Sequence, residues 1–149
     1  MPNTPALVGA GMTAICNNFA SDEDLKVALK VFSAVGETII IDEKYIDAVV
    51  GVSGSGPAYI FTLIEAMADG AVSCGLPRKK ALEYAAAALE GAAAMVLETG
   101  CHPGELKDAV CSPGGSTIAG VRTLENGAFR SAVMDAVIAS YARGQELGK

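Results

Sequence analysis

The stretch from Cys111 to Ile118, Cys-Ser-Pro-Gly-Gly-Ser-Thr-Ile, places small hydroxyl side chains and two adjacent glycines ahead of a helical apolar pattern. Ser112 is predicted as the helix N-cap and Pro113 as the first helical residue. A helix N-terminus offers free N–H donors and a partial positive charge, and glycines leave those donors uncovered. The stretch therefore fits a carboxylate or phosphate site, with the Ser116 and Thr117 hydroxyls beside it. A capped helix start without a ligand fits these residues equally well.

The chain around this turn is predicted to be helical from Asp42-Glu43 onward, because apolar residues recur there at helical spacing between glycine and proline breaks. The helix that starts at Pro57 is apolar nearly all round, so we expect it to be buried on most sides. The predicted helices are residues 43–52, 57–75, 77–99, 105–110, the helix after the glycine turn to 125, and a last one from 129.

Residues 12–41 show a different pattern, which predicts strand, helix and strand. Ser21 and Asp24 form a capping-box pattern at the start of the helix, and Gly36 is predicted to end it. Two strands alone are marginal, so the unit should belong to a larger sheet. The sequence thus predicts a mainly α chain, with residues 1–43 as the end of a sheet domain and 44–149 as a helical domain.

The composition favours a dimer. Hydrophobic residues make up 51% of the 149, but only 5% are aromatic and much of the apolar content is alanine. Small side chains bury little area, and unpaired apolar helices would leave a large exposed patch. We therefore expect a two-fold homodimer. The net charge of −6 and the absence of a basic run argue against nucleic acid or an anionic membrane as a partner.

The four cysteines, at positions 16, 74, 101 and 111, form no C-x-x-C pair and no cluster with the single histidine, His102. This spacing argues against a metal site and against a disulfide framework, and scattered thiols are typical of a reducing compartment. No signal peptide is recognisable at the N-terminus, so a cytoplasmic location is expected. His102 is predicted to be a capping or surface residue, because no nucleophile or carboxylate is patterned around it.

A second glycine-rich segment, Ser53-Gly54-Ser55-Gly56-Pro57, interrupts the longest uncharged run, Ala48 to Ile64. The run is therefore interpreted as two elements joined by a turn rather than as a membrane span. The segment could present amides and hydroxyls to the same ligand as the first turn, or it could be a tight helix–turn–helix junction. It lacks the spacing and the lysine of a P-loop.

The run from Pro103 to Glu125, which contains Ser-Pro-Gly-Gly-Ser-Thr, closely resembles the motif of the pyrroline-5-carboxylate reductases. Three other stretches resemble the same family in the same order: Met1–Pro5, Val52–Tyr59 and Gly75–Arg78. The resemblance implies reduction of 1-pyrroline-5-carboxylate to L-proline by NADPH or NADH, the last step of proline biosynthesis. It also implies an N-terminal Rossmann domain and a helical domain that forms an interlocked dimer, often assembled into larger rings.

The resemblance also implies roles for single residues. The backbone of the turn would hold the substrate carboxylate, and the hydroxyl of Thr117, the implied catalytic residue, would face the ring nitrogen. Glu43, Ala109 and Val110 match positions on the cofactor side. The implied substrate-binding residues are Ser112, Gly114, Gly115, Ser116 and Thr117.

One departure from the family pattern matters: no glycine-rich dinucleotide fingerprint precedes the strand–helix–strand unit. We therefore expect this chain to be the C-terminal part of a reductase, inactive without its cofactor domain. The alternative is a non-catalytic helical dimerisation module, in which the glycine turn is purely structural.

Overall fold

The computed structural model describes residues 1–148, which are mostly helical with one two-stranded sheet, so the predicted fold class is confirmed. The strands and α-helices are β1 Gly11–Ile15, α1 Asp22–Ser33, β2 Gly36–Ile40, α2 Ile46–Val49, α3 Gly56–Ser73, α4 Arg78–Thr99, α5 Pro103–Val110, α6 Ser116–Asn126 and α7 Phe129–Leu147. Short 3-10 segments cover Thr4–Val8 and Glu43–Tyr45, and a π turn covers Val50–Gly54.

β1 and β2 are parallel neighbours joined by α1, which confirms the predicted strand–helix–strand unit. Gly36 does not end the helix as predicted, because α1 already stops at Ser33. Gly36 instead opens β2 opposite Gly11, with φ +145°. A Cβ there would overlap the backbone of Gly11, so only glycine allows this approach.

The predicted capping box at the start of α1 is present. Ser21 Oγ accepts a hydrogen bond from the Asp24 amide at 3.2 Å, and the Asp24 carboxylate accepts from the Ser21 amide at 3.3 Å. The Ser21 hydroxyl also donates to this carboxylate at 2.6 Å. Together these bonds satisfy N–H groups that a helix start leaves without partners.

We expect this cap to weaken in acid. The hydrogen bond from the Ser21 hydroxyl, followed by that from its amide, lowers the pKa of Asp24 below the ordinary value of 3.8. The pKa of Asp24 is lower in the folded state than in the unfolded state. The cap therefore stabilises α1 at pH values above the ordinary pKa, and this stabilisation is lost as the pH falls through the folded-state pKa. An NMR titration of the Asp24 carboxyl should give a midpoint below 3.8. Ser21→Ala should return it toward that value, and an unchanged midpoint would contradict the cap.

The chain divides into two compact units, one made of Met1–Tyr59 with the residues from Ala132 onward, the other of Ile60–Ser131. The predicted domain boundary at residue 43 follows the change from sheet to helix and stays a prediction.

Few side chains are buried in either unit. Thr13 and Ala14 are buried in the first unit, and Ala68, Ala81 and Ala85 in the second. The prediction that the helix beginning at Pro57 is buried on most sides is wrong for the single chain, because Ala68 is the buried residue of α3.

The helical run Glu43–Ser73 has 31 residues and contains an 18-residue window with a mean hydropathy of 1.2, so by length and composition it could cross a membrane. The run is not uniform, since the π turn and a bend at Ser55 separate α2 from α3. The predicted break between two elements is therefore present, but as a π turn rather than as a tight loop.

Candidate functional site: the turn before α6

The glycine-rich stretch forms a four-residue β-turn ahead of α6. The Gly115 amide donates to the Ser112 carbonyl at 3.0 Å, with Pro113 and Gly114 at the centre of the turn. Gly114 has φ +68°, and a proline followed by a residue of positive φ is the type II pattern. The turn thus needs glycine at position 114.

The predicted cap is wrong: α6 begins at Ser116, and the N-cap residue is Gly115 rather than Ser112. The reason is the positive φ of Gly114, which takes the chain out of the helical region after Pro113. Gly115 itself has extended backbone angles (φ −77°, ψ 172°), and no side chain caps the helix.

Gly115 is favoured by close packing rather than by its φ value. A Cβ at this position would collide with Ser112 Oγ and would approach the Ser112 carbonyl oxygen to 3.2 Å. The Ser112 hydroxyl therefore lies directly against the Cα of Gly115. The two glycines have different physical roles, backbone conformation at Gly114 and space at Gly115.

The start of α6 presents backbone donors to solvent. The amides of Ser116, Thr117 and Ile118 precede the first helical hydrogen bond, which joins the Ala119 amide to the Gly115 carbonyl at 3.4 Å. The Ser116 and Thr117 side chains are both exposed. Free amides, the helix dipole and two hydroxyls in one place can hold a carboxylate.

An ion pair lies in the last turn of α5, shortly before the glycine turn in the sequence. Lys107 pairs with Asp108 at 2.6 Å in the last turn of α5. The hydrogen bond and the charge of Asp108 raise the pKa of Lys107, which keeps the ammonium group protonated. This cation lies one helical turn before Cys111, the residue that enters the turn.

The structure places the predicted cofactor-side residues in two different units. Ala109 and Val110 end α5 just before the turn, where both are exposed. Glu43 lies in the first unit, at the start of the 3-10 segment Glu43–Tyr45.

Glu43 lines a cleft of about 480 Å³ at the carboxyl ends of β1 and β2. Asn17, Asn18 and Tyr45 also line it, and the Asn18 carboxamide donates a hydrogen bond to the Glu43 carboxylate. Neither asparagine is among the site residues predicted from the sequence. Their position directly after a buried strand is the signal that could have found them, because ligands bind at the carboxyl ends of parallel strands.

The second glycine-rich segment is a junction. The Ser53 hydroxyl donates to the Val49 carbonyl at 3.1 Å, and the Ser55 and Ser140 hydroxyls are 2.7 Å apart. The hydroxyls of Ser53 and Ser55 are thus both hydrogen-bonded within the fold. This supports the interpretation of the segment as a junction rather than as a ligand site. His102 caps α5 as predicted, its Nδ1 accepting from the Gly104 amide at 3.0 Å.

Residues 1–148 contain no group of three His, Cys, Asp or Glu side chains that could hold a metal ion. All four cysteines are free thiols.

Comparison with known proteins identifies the family. Residues 43–147 match the family model for pyrroline-5-carboxylate reductase dimerisation. The chain is 55% identical to pyrroline-5-carboxylate reductase of Synechocystis sp. and 54% identical to that of Escherichia coli, in each case over 100% of this chain and 56% of the other protein.

Solved structures agree. The chain matches the Plasmodium falciparum pyrroline carboxylate reductase with NADP bound at a TM-score of 0.94 and 35% identity, covering 100% of this chain and 62% of that one. It matches the Coxiella burnetii pyrroline-5-carboxylate reductase at 0.92 and 37%, covering 100% and 56%.

The chain therefore belongs to the pyrroline-5-carboxylate reductase dimerisation family. It spans about half the length of the curated relatives that it matches.

Proposed function

We propose that the protein containing this chain is a pyrroline-5-carboxylate reductase, which reduces 1-pyrroline-5-carboxylate to L-proline with NADPH or NADH. The observation that carries the proposal is the turn before α6, where two glycines with separate structural roles leave the amides of Ser116, Thr117 and Ile118 open. The names of relatives more than 50% identical over the whole chain support the same reaction.

In this proposal the turn holds the carboxylate of the substrate. The amides at the start of α6 donate to its oxygens, and the Ser112 to Thr117 backbone fixes the ring in one orientation. The reduction adds a hydride to the carbon of the C=N bond and a proton to the nitrogen. The Thr117 hydroxyl, which is exposed at this turn, is assigned to the ring nitrogen. Precise placement of the imine then supplies most of the catalysis.

The residues at the carboxyl ends of β1 and β2 fit part of a dinucleotide. The cleft there offers a carboxylate from Glu43 and carboxamides from Asn17 and Asn18, groups that pair with ribose hydroxyls and with an amide. Ala109 and Val110 are assigned to the same cofactor. When bound, the reduced nicotinamide supplies the hydride.

We assign the exposed apolar surface to a second copy of this chain, in a homodimer that assembles further into a ring. Large apolar side chains are exposed on both compact units, and contiguous apolar surface of this kind usually marks a protein–protein interface. Leu97, Tyr84 and Ile138, which are exposed by 83%, 68% and 61%, are examples of side chains that this dimer would cover. A membrane and nucleic acid are not among the proposed partners. The free thiols support a reducing, cytoplasmic location.

The direct experiment follows NADPH oxidation by the protein at its full natural length, with 1-pyrroline-5-carboxylate as substrate and chromatographic detection of proline. Proline formed in step with NADPH consumed is the expected result. A folded dimer that neither binds L-proline nor produces it would instead favour the non-catalytic dimerisation module.

Thr117→Ala is expected to lower kcat by roughly a hundredfold, because one hydrogen-bond donor at the reacting nitrogen is lost. The thermal midpoint should hardly change, since the Thr117 side chain is exposed and has no hydrogen-bond partner within residues 1–148. Thr117→Ser, which keeps the hydroxyl, should retain most of the activity. Equal kcat values for Thr117→Ala and the unmodified enzyme would exclude this role.

A further inference from the structure

The start of α5 is capped by an imidazole. His102 is the N-cap residue, with φ −62° and ψ 133°, and its Nδ1 accepts a hydrogen bond from the Gly104 amide at 3.0 Å. A backbone amide can only donate, so Nδ1 is the ring nitrogen without a proton. The ring in this arrangement is therefore neutral, with its proton on Nε2.

His102 supplies the acceptors for the whole first turn of α5. Pro103 has no amide proton, so the Gly104 amide is the first donor of the helix. The Glu105 and Leu106 amides both donate to the His102 carbonyl, at 2.9 and 3.2 Å. The imidazole thus bonds the one early donor that the backbone carbonyl of His102 does not.

Gly104 leaves space for the ring. A Cβ at this position would lie 3.0 Å from His102 Nδ1 and 3.3 Å from Cε1, closer than an ordinary van der Waals contact. The imidazole therefore lies against the backbone of the first helical turn. The close approach and the hydrogen bond place the ring in the same position.

No bonded carboxylate would stabilise a protonated imidazole at this position. Within residues 1–148 no ion pair involves the ring. Its titratable neighbours along the chain are Glu98, Cys101 and Glu105, and none of them hydrogen-bonds to it. Farther along α5, Lys107 and Asp108 pair with each other at 2.6 Å. The partial positive charge of the helix N-terminus also opposes a positive ring.

We propose that His102 is a pH-sensitive cap, in which protonation of Nδ1 removes the acceptor for the Gly104 amide and releases the first turn of α5. The hydrogen bond forms only with the neutral ring. It therefore stabilises the helix start above the pH range in which the ring gains a proton, and this stabilisation is lost as the pH falls through that range. Ser, Thr, Asp or Asn, the usual N-cap residues, would not give a cap that responds in this range.

The effect on α5 should be large for its size. The helix has eight residues, which make about two turns, so the capped turn is half of it. Short helices are marginal without such support. The proposal concerns the fold of α5 and does not depend on the proposed reaction.

The test is an NMR titration of the protein at its full natural length, from about pH 8 to about pH 5, the range in which histidine changes charge. At the upper end, the ring nitrogen shifts of His102 should show the proton on Nε2. On acidification the Gly104 amide resonance should move with the same midpoint as the His102 Cε1 proton. The protection of the Glu105 and Leu106 amides, corrected for the intrinsic pH dependence of exchange, should fall about fivefold, as expected for the loss of one N-cap.

His102→Asn is the matched variant, because asparagine is a strong N-cap that does not titrate. It should keep the protection of these amides at both ends of the titration, whereas His102→Ala should lose about fivefold at both ends. Glu105→Gln should leave the transition in place, since the imidazole and not this carboxylate is the titrating group.

A proton on Nδ1 at the upper end of the titration would overturn the proposal, and so would a Gly104 amide resonance that does not follow the imidazole. An equal acid-induced loss of protection in His102→Asn would also contradict it, because the sensitive group would then lie elsewhere. Loss of the transition in Glu105→Gln would assign it to that carboxylate instead.

Discussion

Gly115→Ala is expected to lower kcat/KM for 1-pyrroline-5-carboxylate by up to about a hundredfold, because the change displaces the preorganised backbone donors that face the substrate carboxylate. The new Cβ would collide with Ser112 Oγ and crowd the Ser112 carbonyl. The exposed Ser112 hydroxyl can rotate away, but the contact with the Ser112 carbonyl remains and opens the β-turn by a few tenths of an ångström, which moves the amides of Ser116 and Thr117. Steady-state kinetics and calorimetry with L-proline would measure the loss.

Gly114→Ala is the comparison variant for this prediction. Nothing lies within 4 Å of a Cβ at Gly114, so the change adds strain from the positive φ without a collision. That strain is about 1–2 kcal/mol and should lower activity far less than Gly115→Ala. If the two alanine variants lost activity equally, the close contact between Ser112 and Gly115 would not be what maintains the site.

Met67→Glu is expected to abolish the dimer. Met67 belongs to an apolar stripe on α3, and it is 42% exposed in the single chain, where a charge would be tolerated. If a second copy covers the stripe, an unpaired carboxylate there costs several kcal/mol. The stripe consists of Ile60, Leu63, Ile64, Met67 and Ala71.

Sedimentation of the unmodified protein should give the mass of two copies or of a ring of such pairs, and Met67→Glu should give monomer or insoluble chain. Lys79→Glu, at an exposed position that is already charged, is the control and should sediment as the unmodified protein does. A Met67→Glu variant with normal assembly would show that this stripe is not the interface.

Much of the fold follows from local chemistry. The Ser21–Asp24 capping box and the His102 cap were predicted because each depends on residues within three positions of one another. Hydrophobic spacing likewise predicted α4 to α7 to within a few residues. These signals depend only on residues close together in the sequence, and the structure contains the caps and helices that they predict.

The remaining features depend on contacts between distant segments or on backbone geometry. Ser112 has the composition of an N-cap, yet the positive φ of Gly114 moves the helix start to Ser116. Gly36 resembles a helix stop but is needed for its approach to Gly11. The Asn3 carboxamide donates a hydrogen bond to the Ser53 carbonyl, 50 positions away in the sequence, and no periodic pattern of residues predicts this contact.

The candidate site was predicted in part. The turn is predicted because two adjacent glycines would destabilise an ordinary helix start. Their presence indicates that the backbone amides there must stay accessible. Asn17 and Asn18 were missed because exposed asparagines after a strand are also typical of ordinary loops. Whether Glu43, Ala109 and Val110 contact the cofactor stays a prediction.

The most direct measurement of the carboxylate site is an amide NMR titration of the full-length protein, with NADP⁺ present, using L-proline and then pyrrolidine, which has the same ring without the carboxylate. Proline is expected to shift the amide resonances of Ser116, Thr117 and Ile118, whereas pyrrolidine should leave them in place. Equal shifts with both compounds, or none at these amides with proline, would show that the start of α6 does not bind the substrate carboxylate.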